Sequence, residues 1–160
     1  QKNGIIHSTS LLLKPANGDL MEVVSEDTSL SMFHAALLKT ANGGTDLTNA
    51  LVCGCKFTLF APTNSAFKFV GYPDAISIEN ADYKKIVALL SYHITKERVF
   101  SSDWSNDMNV MMINNKSIKM FQNGNDFMVK GEKNELPIKI IKKNTMAKHG
   151  IVHTIERLIE

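Results

Sequence analysis

The residues able to carry chemistry in this 160-residue chain are five histidines, two cysteines and the ordinary hydroxyls and carboxylates, and their spacing limits what they could do. Cys53 and Cys55 stand one residue apart. A disulfide between them would close a strained ring, and as ligands they supply only half of a tetrahedral zinc site, so they read as small buried or half-buried residues at the start of a strand, reduced or lightly reactive. His149 and His153 are four apart in a segment that reads as a strand, which puts them on one face but too far apart to clamp one ion. No metal or cofactor is expected. A nucleophile elbow and a Cys with an obvious His partner are both missing, and Ser65, His93 and Asp103 form the kind of set that any ordinary composition permits. Gly43-Gly44 lacks the following Lys and Ser or Thr that would hold phosphate and magnesium. The chain reads as a non-enzyme.

The remaining notable side chains read as structural. His93 ends the apolar face of a helix over 82–93 that carries Ile86, Leu89 and Leu90, so a buried, neutral, hydrogen-bonded imidazole is expected, with Tyr92 pointing outward. Asp82 lies in the first turn of that helix, where its charge complements the helix dipole. His153 alternates with Ile151 and Ile155, which points it into the core. Thr63 and Asn64 follow Pro62 and offer the side-chain oxygens that tie a turn and cap a short helix, a helix expected to carry Phe67 and Val70 inward. As a cap, either residue would contribute about 1 kcal/mol.

The elements that must position these residues follow from periodicity. Helices are expected over 19–25 and 29–40, the second ended by Asn42-Gly43-Gly44. Phe57 to Phe60 reads as a buried strand stopped by Pro62. Beyond the 82–93 helix the texture changes to short segments rich in β-branched, aromatic and Met residues, giving strands at 99–101, 108–113, 117–121, 126–130 and 137–142. Asn114-Asn115 and Asn123-Gly124-Asn125 supply turns between them. Helices first and strands later make an α+β domain rather than a parallel βαβ fold.

With 44% hydrophobic and 21% charged residues, the chain has enough apolar material for one core. Its net charge of +2, with only Arg98 and Arg157 carrying the planar fork suited to phosphate and bases, argues against nucleic acid. No window approaches the roughly 18 apolar residues of a membrane span, so no direct insertion of this segment is expected.

The pattern Gly4-Ile5-Ile6-His7 near the start echoes Gly150-Ile151-Val152-His153 near the end, almost a domain's length away. Residues 1–18 are accordingly read as the closing strand of a preceding copy, or an N-terminal extension, plus a linker from Lys14 to Gly18. Residues 19–160 form the domain.

Three segments in order resemble the fasciclin (FAS1) family. Phe57-Thr58-Leu59-Phe60-Ala61-Pro62-Thr63-Asn64-Ser65-Ala66-Phe67 is similar to the family's first signature. Leu89-Leu90-Ser91-Tyr92-His93-Ile94 resembles its Tyr-His motif, and Gly150 to Ile159 its closing signature, with His149 where the family usually has Asn and Glu156 where it often has Asp. The resemblance implies a wedge in which a short-stranded β-sandwich packs with several helices. It also implies a noncatalytic extracellular adhesion module, often in tandem, recognising a protein or polysaccharide surface, with Tyr92 and His93 as candidate contact residues. Tyr suits such a patch because it buries a large area while offering one hydroxyl. Homotypic contacts through exposed strand edges are a further expectation. The location expected is extracytoplasmic, secreted or anchored as a lipoprotein. The richness in Lys, Asn and Ile points to a bacterial outer membrane or periplasm. The alternative is a small-molecule or glycan-binding domain for nutrient capture, with its pocket between sheet and helices and Trp104, Tyr72 and Tyr83 as stacking aromatics.

Overall fold

The computed structural model describes residues 18–41, 47–52 and 55–160. The strand expected in residues 1–13, most of the linker, the Asn42-Gly43-Gly44 helix end and Cys53 lie outside the described residues, while Cys55, expected buried or half-buried, is exposed because it precedes the covered part of the sheet.

The first layer is helical. Helix α1 (Leu20–Glu26) begins at a capping box: the Asp19 carboxylate accepts from the Glu22 amide while the Glu22 carboxylate accepts from the Asp19 amide, both at 2.9 Å. A 3₁₀ turn (Thr28–Leu30) leads into α2 (Ser31–Ala41), which buries Met32, Phe33, Ala36 and Leu37. Helix α3 (Leu47–Val52) follows, and nothing in the periodicity announced it. Between them Asp27 receives Ser29 Oγ at 2.6 Å and Lys142 Nζ at 3.3 Å, tying the helices to the sheet. The Ser29 hydroxyl, and then the amide and Lys142, hold its carboxyl below the usual carboxylate range against partial burial.

Strand β1 (Phe57–Pro62) is buried along its whole length, as is β7 (Gly150–Ile155), because both lie in the middle of the sheet with packing on both faces. They pair in parallel from Phe57 opposite Gly150 to Pro62 opposite Ile155. This parallel pair joins the two motif-bearing ends of the domain. Strand β2 (Ile94–Thr95) flanks β1, and the order continues from β7 through β6 (Ile138–Met146), β5 (Asp126–Lys130) and β4 (Ser117–Asn123) to β3 (Met108–Met111). All seven strands form one sheet, curled nearly into a barrel, rather than two separate sheets.

Alternation along the central strands serves two cores. Phe57, Leu59, Ala61 and Val152 face the helices and pack with Leu20, Phe33 and Leu90. Phe60 and Ile155 face the other way, into the hollow of the curl, where Val110, Ile118, Met120 and Val129 meet them. The α+β class is therefore realised with helices on one side and a self-enclosing sheet on the other.

Several local expectations are corrected. The segment 99–101 is not a strand: the Thr58 hydroxyl donates to Glu97 O at 2.7 Å and accepts from Val99 N at 3.0 Å, so side chains replace the ladder, and Ser101–Asp103 form a 3₁₀ turn. Val70 does not point inward. It caps the C-terminus of α4 (Asn64–Phe69) and is 38% exposed, while Phe67 alone of the pair is buried. Trp104 is only 7% exposed, plugging the sheet core edge-on to Phe127, so it is no outward stacking platform. Strand β6 runs to Met146 through two register irregularities, one between Ile140 and Lys142 and one between Lys142 and Thr145 that spans Asn144, whose φ is 57°. Helix α5 (Ala75–Glu79), capped by Asp74, was not expected.

Asn64 is the first residue of α4, and Thr63 is its N-cap. The Asn64 carboxamide instead reaches the start of α2: Oδ1 accepts from Met32 N at 3.0 Å, and Nδ2 donates to Thr28 O at 2.9 Å and to Ser31 Oγ at 3.0 Å. It thus caps a helix more than thirty residues away in sequence. Asn64→Ala is expected to lower stability by about 2–3 kcal/mol, because a helix-start donor and a turn carbonyl both lose their partner. Thr63→Ala, which removes one long bond of 3.4 Å to Ala66 N, should stay near 1 kcal/mol. Urea titration of the two variants side by side checks the difference, and equal losses would refute the long-range cap.

Candidate functional site

Helix α6 (Tyr83–Ser91) starts at Asp82, whose carboxylate accepts from the Lys84 and Lys85 amides, and it buries Ile86 and Leu90. Its C-terminus is where Tyr92 and His93 emerge. The His93 amide closes the last turn on Leu90 O at 2.8 Å, which drives the imidazole into the interior, fully buried beside the Phe33 ring. Nδ1–H donates to Leu89 O at 2.7 Å, and Nε2 accepts from Ile159 N–H at 3.0 Å. Those two partners define the neutral tautomer. Burial pushes the His93 pKa down to about 4, only partly opposed by the Leu89 carbonyl. With both ring nitrogens engaged, His93 has none to offer Ser65 as a base, and the imagined triad is excluded.

His153 is likewise buried, stacked on Phe60 with ring centroids 5.4 Å apart. Nε2–H donates to Val99 O at 2.9 Å and Nδ1 accepts from Asn144 N–H at 3.3 Å. Burial lowers its pKa, and the bond to Val99 opposes this. It pins the irregular 97–99 loop and the β6 bulge to the central strand. His149 sits before β7 rather than within it, and among the described residues no group of three or more His, Cys, Asp or Glu is placed to hold a metal ion.

The bond from His93 to Ile159 matters because of what that segment lines. Residues Leu158 to Glu160 are stitched in place by Asn134, whose Nδ2 donates to Leu158 O at 3.1 Å and whose Oδ1 accepts from Glu160 N at 3.0 Å. Lys133 N–H closes on Glu160 O at 2.8 Å. The buried side chains of Leu158 and Ile159 then form the floor of a surface cleft. One lobe, about 310 Å³, is walled by Tyr92, Leu89 and Lys85 of α6 and by Tyr72. The other, about 450 Å³, is walled by Phe69, Leu136, Pro137 and Arg157. Val70, Lys133, Leu158 and Glu160 border both, so the two lobes adjoin.

The structure therefore separates the two adjacent candidates. Tyr92 is half-buried and lines the cleft, whereas His93 lies beneath it and holds its floor. Thr63, Asn64 and His153 do not border it. Sequence reasoning missed Phe69 and Leu136, which are 77% and 71% exposed. A signal for Phe69 existed: in a helix that buries Phe67, a residue two positions on points to the opposite side.

The Fasciclin domain family profile matches residues 29–160. Human (Homo sapiens) periostin is 26% identical over 159 residues, covering 99% of this chain and 18% of the relative. The rabbit (Oryctolagus cuniculus) transforming growth factor-beta-induced protein ig-h3 is 24% identical over 157 residues, covering 98% of this chain and 21% of the relative. The chain thus spans about a fifth of these curated relatives. A solved FAS1 domain pair from the insect cell adhesion molecule fasciclin I superposes with a TM-score of 0.71 at 14% identity, over 91% of this chain and 51% of that one. The three segments that resemble fasciclin signatures all lie within the residues matched by the family profile: the first forms β1 and the start of α4, the second the end of α6, and the third β7 and the cleft floor. The chain belongs to the Fasciclin domain family.

Proposed function

We propose that this chain is a noncatalytic adhesion module acting outside the cytoplasm, at a cell surface or in secreted form, and that it recognises a protein through the cleft beside Tyr92. The observation that carries this reading is the convergence of Phe69 and Leu136, the two most exposed large apolar side chains among the described residues, on the cleft that Tyr92 also lines. Apolar side chains held out over a buried, hydrogen-bonded floor suit a preorganised contact surface. Membership in the family, together with a structural relative that is a cell adhesion molecule, supports the same assignment. Among the described residues no helix is long and apolar enough to cross a membrane. One copy within a longer, anchored chain at a bacterial surface is the setting we infer from the composition and the internal echo.

The glycan-binding alternative is the weaker reading. Trp104 is in the core, and Tyr72 and Tyr83 are half-buried, Tyr72 against Phe67, so none of the three expected stacking residues stands out as a flat face for sugar rings.

The test is adhesion of cells and of matrix-protein coatings to the immobilised domain. Tyr92→Ala, and separately Phe69→Ser combined with Leu136→Ser, are each expected to reduce retention at least about fivefold, the effect of losing roughly 1 kcal/mol of contact, with melting temperatures near wild type. Undiminished retention by both variants would sink the cleft as the contact surface.

A further inference from the structure

We propose that the cleft selects an extended peptide segment in which one acidic residue is flanked by large apolar ones, its carboxylate seated on the Arg157 guanidinium. This rests on the reading of the cleft as the contact surface and names the chemistry of its partner.

Arg157 is exposed on the wall of the larger lobe, its Cζ 5.4 Å from the centroid of the Phe69 ring. Stacking on an aromatic face leaves the edges of the guanidinium, where its N–H groups point, open to a planar acceptor. Among the described residues no carboxylate forms an ion pair with Arg157. The ion pairs among the described residues are Lys116–Glu132, Lys139–Asp126 and Lys142–Asp27, all away from the cleft. A carboxylate matches the guanidinium fork with two parallel hydrogen bonds, which sets the class of group expected there.

The surroundings of Arg157 define what the rest of the ligand must be. Leu136 and Val70 are exposed beside it and Leu158 forms the floor, so aliphatic side chains on either side of the acid would find apolar surface. Glu135, Glu156 and Glu160 also border the cleft. A run of acidic residues would meet those carboxylates, so one acid fits and a polyacidic stretch does not. Two lobes that adjoin at Val70 and Leu158 suit an extended chain that reaches from one to the other rather than a compact small molecule. The exposed aliphatic side chains of Leu136 and Val70 beside Arg157 favour a peptide, which carries apolar side chains on either side of its acid, over an acidic sugar polymer, which carries none.

The probes are fluorescently labelled acetyl-Leu-Leu-Asp-Leu-Phe-amide, its Asn counterpart, penta-aspartate and an oligogalacturonate, titrated by anisotropy against wild-type protein, Arg157→Gln and Leu136→Ser. The wild type should bind the Asp peptide about fivefold more tightly than the Asn peptide, a preference that weakens in salt. Arg157→Gln should erase that preference while leaving the Asn peptide's affinity in place. Leu136→Ser should weaken both. Equal binding of the Asp and Asn peptides, or a preference untouched by Arg157→Gln, overturns the inference while leaving the cleft reading intact if Leu136→Ser still weakens both peptides. Tighter binding of penta-aspartate or oligogalacturonate overturns it as to partner class. Peptide affinities untouched by Leu136→Ser, together with undiminished adhesion by the Tyr92 and Phe69/Leu136 variants, would overturn both readings.

Discussion

Lowering the pH from 7 to 4 is expected to remove about 3 kcal/mol of stability through His93 alone, with His153 acting in the same direction. In the unfolded chain a histidine titrates near its ordinary value of 6.5, whereas burial holds folded His93 neutral down to about 4. Between those values the unfolded state binds the proton and the folded state does not, so stability rises with pH across this window. It is fully present above about 6.5 and is lost progressively as pH falls through the folded value. The structural reason is specific. A proton can be added only at Nε2, the atom that accepts the Ile159 amide, so protonation would set two donors against each other in the interior. Asp27, held below the usual carboxylate range, loses its contribution only at still lower pH. Urea unfolding at pH 7, 5.5 and 4.5 measures the slope. His93→Gln keeps a donor and an acceptor at that position without a titration, and it should flatten the profile while lowering stability at pH 7. A variant with the same slope as wild type would assign the acid sensitivity elsewhere.

The same bond links stability to the proposed contact surface. His93 connects the end of α6, which carries Tyr92, to the segment that forms the cleft floor. Its loss at acid pH would loosen that wall from its floor, and because Ile159 is itself part of the sheet core, with Tyr92 packed against it, the sheet core would loosen with it. Adhesion is therefore expected to fall together with the acid unfolding of the domain. Retention assays and circular dichroism over one pH series check this, and clearly separated transitions would contradict it.

How far the chain could be read from its sequence depended on how local each cause was. Strand β5 was expected at 126–130 and is found at those residues, because the alternation of buried Phe127 and Val129 is written within five positions. Helix α6 was legible for the same reason, from Asp82 at its start and Ile86 and Leu90 on one face. The failures are non-local. Asn64 looked like a cap for its own helix, but its partners at Thr28, Ser31 and Met32 are supplied by tertiary approach. Val99 has strand-forming character, yet Thr58 and His153 take its backbone groups from elsewhere in the fold. The parallel pairing of β1 with β7 brings together segments from opposite ends of the domain, and nothing in either strand announces its neighbour. For the cleft, the Tyr-His edge was legible as a pair, but the opposed roles of the two residues were not, since His93 finds Ile159 sixty-six positions later. Leu136, just before β6, and Arg157, just after β7, come to the lobe next to that of Tyr92 only through the path of the chain around Leu158 and Glu160.

Replacing Gly150 with alanine is expected to destabilise the domain by about 3 kcal/mol, at the upper end of ordinary overpacking. Gly150 opens β7 opposite Phe57, and its α-carbon faces the helical layer at the point where α1 crosses the strand. A β-carbon there would lie 2.6 Å from the Phe57 carbonyl oxygen and 2.7 Å from a Leu20 methyl. Leu20 could shift a little within its core, but the Phe57 carbonyl belongs to the parallel ladder and moves only with the strand. The strain would fall on the β1–β7 pair that holds both cores in register. Gly124 gives the matched control. It sits in the β4–β5 turn at φ +60°, where a β-carbon meets nothing within 4 Å, so Gly124→Ala incurs only the left-handed conformation, about 1 kcal/mol. Thermal or urea unfolding of the two variants separates crowding from conformational preference. If Gly150→Ala were no worse than Gly124→Ala, the close approach of β7 to Phe57 and Leu20 could not be the reason a glycine stands there.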